Sequence, residues 1–290
     1  MPTVLPSGNS LGCTIEGLDV SRPLSQADES LILDALGQYG VLCFPNQSLE
    51  PEAHKAFSAR FGSLEVNVAS GRYVVPGHPE VMILSNMVED GKQVGLGDAG
   101  QDWHTDMSYS ATIAFLNVLY AVKVPTRDGR PLGDTEFLDM CAAYDALPEE
   151  WKARVAGKTA THDFDKFWAK MVAMPGTQRK PLTPEQRAAK PPVSHPIVLR
   201  HPISGRNALY CNVGYAVRVD GVSQTESDEI LEYLFAHQVN DRFKYAHHWT
   251  ERDLLVWDNL WTMHNAVADY GPDEIRLMRR CQVMADKVLA

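Results

Sequence analysis

Two stretches near the start of the chain carry apolar side chains at helical spacing, and each runs into a glycine. Residues 25–39 place Leu31, Ile32, Leu33 and Leu36 behind Ser25, whose hydroxyl can cap the first turn, so a helix is predicted there and Gly40 stops it. Val41-Leu42-Cys43-Phe44 follows as a short buried strand closed by Pro45-Asn46. A second helix is predicted over residues 51–61, opened by Pro51 and ended at Gly62. From residue 80 onward the pattern changes. Short apolar runs at 80–84, 113–122, 197–199, 208–213, 254–257 and 277–283 are strand-length and bounded by turn residues. Helical insertions are predicted over 139–155 and 223–237, the latter with Thr225 and Ser227 as candidate caps. Residues 173–192 are rich in Pro, Lys, Arg and Gln and read as a long surface loop, a composition suited to a lid. Many short strands with few helices predict a mainly β fold with flanking helices, a sandwich or barrel and not a doubly wound sheet.

Composition narrows the function classes. There is no internal repeat and no linker, so residues 1–290 read as a single domain. Lys and Arg number 27 against 37 Asp and Glu, a balance of −10 that argues against nucleic acid and anionic membrane as partners. An anionic ligand would have to be held by a few well-placed arginines. The most apolar run, 113–122, is interrupted by Asn117 and falls well short of the ~20 residues that span a bilayer. The N-terminal residues lack a basic stretch followed by an apolar one, and the five cysteines are scattered without a CxxC pair. A soluble, cytoplasmic protein is the expectation.

The chemistry concentrates in Trp103-His104-Thr105-Asp106. On a strand end, His104 and Asp106 project to the same side and could take adjacent positions on one metal ion. With ten histidines in the chain, roughly one H-x-D/E is expected by chance, and His78-Pro79-Glu80 is a competitor in a turn-like stretch that reads as a surface loop. His104 and Asp106 gain weight from His264, which follows the apolar strand ending in Trp257-Asp258-Asn259. Two histidines and one carboxylate would make the facial arrangement of non-haem Fe(II) oxygenases, with positions left open. On the last strand, Arg276 and Arg280 share a face and Arg279 points elsewhere, so two guanidiniums can enter one cavity and pair with two anions. The adjacent His247 and His248 face opposite ways and read as structural. A hydrolase or isomerase on another metal, and a catalytically silent binding module, remain open at this level.

The chain resembles the TauD/TfdA family of taurine dioxygenase and 2,4-dichlorophenoxyacetate dioxygenase, Fe(II)- and 2-oxoglutarate-dependent oxygenases. The resemblance covers nearly the whole chain. It is carried by Arg60-Phe61-Gly62, Trp103-His104-Thr105-Asp106, Gly133-Asp134-Thr135, Ala143-Tyr144-Asp145-Ala146-Leu147, His201-Pro202 with Ser204-Gly205-Arg206, and Trp257-Asp258-Asn259 through His264, in that order. It implies a double-stranded β-helix, or jelly roll. It implies that His104, Asp106 and His264 are the iron ligands, and that Arg276 and Thr135 hold the distal carboxylate of 2-oxoglutarate. Arg280 matches the arginine for the substrate's anionic group, and Asn212 and Tyr215 fall at the substrate pocket. Phe164 and Phe167 lie in a segment similar to an aromatic loop beside it.

The implied reaction consumes O₂ and 2-oxoglutarate, releases succinate and CO₂, and hydroxylates a C–H of a small anionic organic acid: a sulfonate, an aryloxyalkanoate or a related carboxylate. A homo-oligomer, dimer or tetramer, is also implied. The resemblance stops short at the taurine-contacting positions. Asn67 stands where the taurine enzyme has a histidine and Gly100 where it has an asparagine, and residues 126–132 form a longer connection.

Overall fold

Strand Ala114–Lys123 is buried along almost its whole length, which explains why it reads as a continuous apolar run and not as an alternating one. It lies between Leu254–Asp258 and Leu277–Met284, antiparallel to both. The complete sheet has eight strands in the order Thr3–Pro6, Cys13–Glu16, Val41–Phe44, Leu254–Asp258, Ala114–Lys123, Leu277–Met284, His78–Ser85 and Val74–Val75. Alternate side chains go to opposite faces. Leu119, Leu255 and Trp257 enter the core with Phe137, Leu138 and Met263, whereas Val118, Val256 and Val283 pack with Ile32, Leu36 and Phe57 of the flanking helices Gln26–Tyr39 and Pro51–Ser58.

Five shorter sheets complete the fold among the described residues, and one carries Thr135 and His264. It is antiparallel, in the order Lys244–His247, Thr135–Asp139 and Thr262–Ala266. The others are the three-stranded Val193–Pro196, Thr159–His162 and Ala216–Val219, and three pairs, Val198–Arg200 with Asn207–Leu209, Thr126–Arg127 with Arg130–Pro131, and Val88–Glu89 with Lys92–Gln93. The whole is a jelly roll with helices on the outer face of its large sheet. This computed structural model describes residues 2–66, 73–174, 177 and 179–289. Among them no helix is long and apolar enough to cross a membrane.

Local differences from the sequence pattern have identifiable causes. The first helix is capped as expected, by a reciprocal pair in which Ser25 Oγ accepts from Asp28 N and Asp28 accepts from Ser25 N. The insertion at 139–155 is two helices, Met140–Asp145 and Glu149–Val155, because Pro148 has no N–H to continue the first. Helix Gln224–Gln238 is capped by Ser223, not by Thr225 or Ser227; Ser227 accepts instead from Val219 N. Within 173–192 lies a six-residue helix, Pro184–Ala189, capped by Thr183. Such a helix is too short to show in periodicity; residues 175, 176 and 178 fall outside the described residues. Gly62 is needed for a close approach, since a Cβ there would come within 2.3 Å of the Met284 carbonyl oxygen.

Candidate metal centre and anion pocket

A single antiparallel bridge assembles the histidines. His104 N donates to the His264 carbonyl at 3.1 Å and His264 N returns the bond at 2.9 Å, so two distant segments present their side chains together. Asp106, two residues on, points to the same side. Nε2 of His104 lies 3.5 Å from Asp106 Oδ1, and Nε2 of His264 lies 3.7 Å from Oδ2. All three side chains are buried, and their ligand atoms fall within 4.8 Å of one another. His104 Nδ1 is 2.8 Å from the Asp102 carbonyl, which only accepts; Nδ1 therefore carries the proton and Nε2 turns a free lone pair inward. His264 Nδ1 is buried without a hydrogen-bond partner among the described residues. Two inward imidazole nitrogens and a carboxylate on one side of a space fit a two-His, one-carboxylate Fe(II) site.

Charges around the cluster keep it ready for a cation. Burial alone would raise the Asp106 carboxyl. The Arg280 guanidinium, with the two neighbouring histidines, outweighs it and holds the group well below the usual carboxylate range. Burial and the neighbouring His104 push His264 well below its ordinary value, keeping it neutral. Asp106 Oδ2 accepts from Asn117 Nδ2 at 3.0 Å and from Arg280 Nη1 at 2.9 Å. Asn117 is fixed in turn by Asn259 and Gln282. The ring of His104 is also held sterically. A Cβ on Gly214 would meet His104 Cβ at 2.8 Å and the Trp103 carbonyl at 3.2 Å. Gly214→Ala is therefore expected to push His104 out of line and weaken Fe(II) binding by about 10- to 100-fold, the usual cost of a disturbed ligand support; a metal titration of the purified variant checks it.

Arg276 makes a second pocket. Its backbone is pinned on both sides, N donating to Asn86 Oδ1 and O accepting from Ser85 Oγ. Its guanidinium lies against Gly133, where a Cβ would come within 3.2 Å of Arg276 Nε and 3.1 Å of the Tyr270 ring. The side chain is buried and its pKa is lowered by desolvation, yet no carboxylate pairs with it among the described residues. A buried cation without a counter-ion is costly, and an incoming anion removes the cost. Two residues beyond Gly133 is Thr135, also buried, whose hydroxyl accepts from Trp249 Nε1 at 3.1 Å and keeps its own proton to donate. Thr135 stands opposite Ala266, and Phe137 of the same strand stands opposite His264. One sheet register thus ties the anion pocket to the candidate ligands.

The remaining expected site residues divide. Arg279 stacks on Tyr120 on the helix-covered face, as the strand period requires. Arg280 lies at the His104, Asp106 and His264 cluster, where its Nη1 donates to Asp106. Tyr215, Phe164 and Phe167 join Met107 and Tyr109 in one small cluster. The rings of Phe167 and Tyr215 lie 5.4 and 6.4 Å from that of His104, so they wall the centre. Asn212 is spent internally, donating to Ser108 and accepting from Tyr215 N. Gly100 lies beside His104, where an added Cβ would sit 3.8 Å from Cε1. Asn67 lies outside the described residues.

Asn117, Met107 and Tyr109 were not singled out by sequence reasoning. The last two sit in the turn that follows Asp106, where no strand or helix period marks the side a residue faces. The competing motif is inert: His78 and Glu80 begin the strand His78–Ser85, not a loop, and pair with Glu52 and Lys55. A second buried group, Cys43, His247 and Asp253, has structural occupations. Asp253 accepts from Thr250 N and pairs with His247, and burial with the Asp253 charge keeps the Cys43 thiol protonated.

With this geometry in hand, comparison with known proteins is direct. The family model described as taurine catabolism dioxygenase TauD, TfdA family, matches residues 4–282. Pentalenolactone F synthase of Streptomyces arenae is 33% identical over 285 residues, spanning 94% of this chain and 92% of that protein. The alpha-ketoglutarate-dependent 2,4-dichlorophenoxyacetate dioxygenase of Cupriavidus pinatubonensis is 32% identical over 287 residues, with 95% of each chain covered. Among solved structures, AAD-2 in complex with Mn(II) and N-oxalylglycine superimposes with a TM-score of 0.79 at 27% identity, covering 98% of this chain and 97% of that one. A taurine dioxygenase from Burkholderia xenovorans gives 0.77 at 27% identity, covering 98% and 89%.

Proposed function

This chain belongs to the TauD/TfdA family, an Fe(II)- and 2-oxoglutarate-dependent dioxygenase, and from that premise we propose which residues do the work and on what. His104, Asp106 and His264 hold Fe(II). Arg276 and Thr135 hold the far carboxylate of 2-oxoglutarate. The substrate is a small organic acid bound against Tyr215, Phe164 and Phe167. The observation that carries the reading is Arg276, a buried guanidinium that no acid of the chain neutralises among the described residues, beside the strand that also bears on the ligand cluster. A metal hydrolase or a silent module would leave that charge unexplained; a keto diacid accounts for it.

When bound, Fe(II) with 2-oxoglutarate and O₂ supplies the oxidising power that hydroxylates a C–H, with release of succinate and CO₂. The chain's part is positioning. Asp102 fixes the tautomer of His104, and Asn117 and Arg280 fix the carboxylate of Asp106 by charge-assisted hydrogen bonds. Arg276 offers a planar fork and Thr135 a hydroxyl to one carboxylate, which sets the cosubstrate's direction. The rings of Phe167 and Tyr215 keep water from the reacting side of the cluster.

Relatives named for aryloxy acids, such as the (S)-phenoxypropionate/alpha-ketoglutarate-dioxygenase of Sphingobium herbicidovorans at 30% identity, and for sulfate esters, such as the enzyme of Pseudomonas putida at 28%, support an acidic substrate. The test is anaerobic. Adding Fe(II) and 2-oxoglutarate to the metal-free protein is expected to produce a visible charge-transfer band, and a productive acid is expected to shift it. Iron bound without any band would overturn the cosubstrate assignment.

A further inference from the structure

The aromatic wall carries a cation that the reading above does not use. Lys190 caps the C-terminal end of helix Pro184–Ala189, and its Nζ lies 4.5 Å from the ring centre of Phe164 and 4.9 Å from that of Tyr109. Those rings continue inward to the metal centre: Phe164 to Tyr109 at 4.7 Å, Tyr109 to Tyr215 at 4.7 Å, Tyr215 to His104 at 6.4 Å. The ammonium is partly buried and makes no ion pair among the described residues. Glu65 is the acid whose field reaches it, without coming into contact. Two aromatic faces offset part of the lost hydration but do not neutralise the charge. Arg280 differs in both respects, being against Asp106 and already donating to it.

We propose that Lys190 is the acid-recognising residue of the substrate site, taking the carboxylate of an organic acid whose apolar body lies along Tyr109, Tyr215 and Phe167. The proposal rests on the assignment of Fe(II) to His104, Asp106 and His264, and it names the substrate class. An acid group on Arg280 would sit against a metal ligand, and oxidation would fall on the carbon beside that group. An acid group on Lys190 is two rings removed from His104. The oxidised carbon is then remote from the carboxylate, with an aromatic or alicyclic body between them. Short sulfonates do not span that distance.

The experiment uses the Fe(II)–2-oxoglutarate complex of the full chain with phenylacetate, phenylbutyrate and phenylhexanoate, and with the primary amide of each. In the wild type the longer acids are expected to shift the visible band, and after O₂ is admitted the new hydroxyl is expected at the phenyl end. Lys190→Met, which keeps the apolar stem, is expected to weaken those acids about 10- to 100-fold, as loss of a charge-assisted partner does, with 2-oxoglutarate affinity unchanged. Lys190→Arg is expected to restore most of the loss, and the amides to bind both proteins alike. Equal acid affinity in wild type and Lys190→Met overturns the proposal. So does a hydroxyl placed next to the carboxylate, or a wild type that forms the band and accepts none of the acids. Failure to form the band at all would instead remove the iron assignment beneath it.

Discussion

Replacing His264 by alanine is expected to give a folded protein that no longer retains iron, with turnover lower by at least about 1,000-fold, because the metal supplies the whole oxidising step. The imidazole sits among the rings of Trp257, Phe137 and His104, at 4.9, 6.4 and 4.2 Å between centres, so its removal leaves a cavity. It also removes a buried Nδ1 that has no hydrogen-bond partner among the described residues, which partly offsets the cavity. A stability loss of about 1–3 kcal/mol is expected, enough to lower the melting temperature without unfolding the chain at room temperature. Iron content by elemental analysis, read beside the thermal melt, separates lost ligation from lost fold. A variant that keeps one iron per chain would refute the ligand assignment. His78→Ala serves as the control, since His78 pairs with Glu52 away from the centre.

The second large effect concerns Arg276, and it has an unusual sign. Arg276→Met is expected to raise the KM for 2-oxoglutarate by roughly 100-fold or more, the cost of removing one partner of a buried charge pair. The ligand-free protein should be no less stable than the wild type. Most buried charges are missed when removed because their partners are left exposed to an apolar medium. Arg276 has no acid partner among the described residues, and Met keeps much of its packing against Gly133 and Tyr270. The two proteins should then diverge when 2-oxoglutarate is added with Mn(II). The wild type gains the binding free energy as stability and the variant gains much less. Thermal melts with and without cosubstrate measure both halves. An unchanged KM, or a ligand-free variant that melts many degrees lower, would show that Arg276 has a structural partner and not an anion to hold.

Legibility along the chain followed the range of the interactions involved. The apolar runs at 113–122, 254–257 and 277–283 are read from the chain because each is strand-length and bounded by turn residues, and all three lie side by side in the large sheet. Ser25 was legible as a cap because its partner is three residues away. His104 and Asp106 were legible as a pair for the same reason. The small strands Thr135–Asp139 and Thr262–Ala266 carry polar residues turned toward the candidate site, so their apolar pattern is broken there.

Other features depend on where distant strands meet. The mutual hydrogen bonds of His104 and His264 decide that those two imidazoles converge, and no local spacing specifies them. Arg276, just ahead of the last strand, and Arg280 within it read from the sequence as a pair on one face. Only the folded chain distinguishes their fates: Arg280 finds Asp106, and Arg276 is left buried without an acid among the described residues. Lys190 shows the same division. Its residue type and its loop were plain in the sequence, but its position over Tyr109 and Phe164 comes from how helix Pro184–Ala189 docks. The sequence by itself determined the apolar strand runs, the Ser25 cap and the kinds of chemistry present. The tertiary structure decided which charges meet and which stay unpaired, because register and docking are set by contacts between residues far apart in the chain.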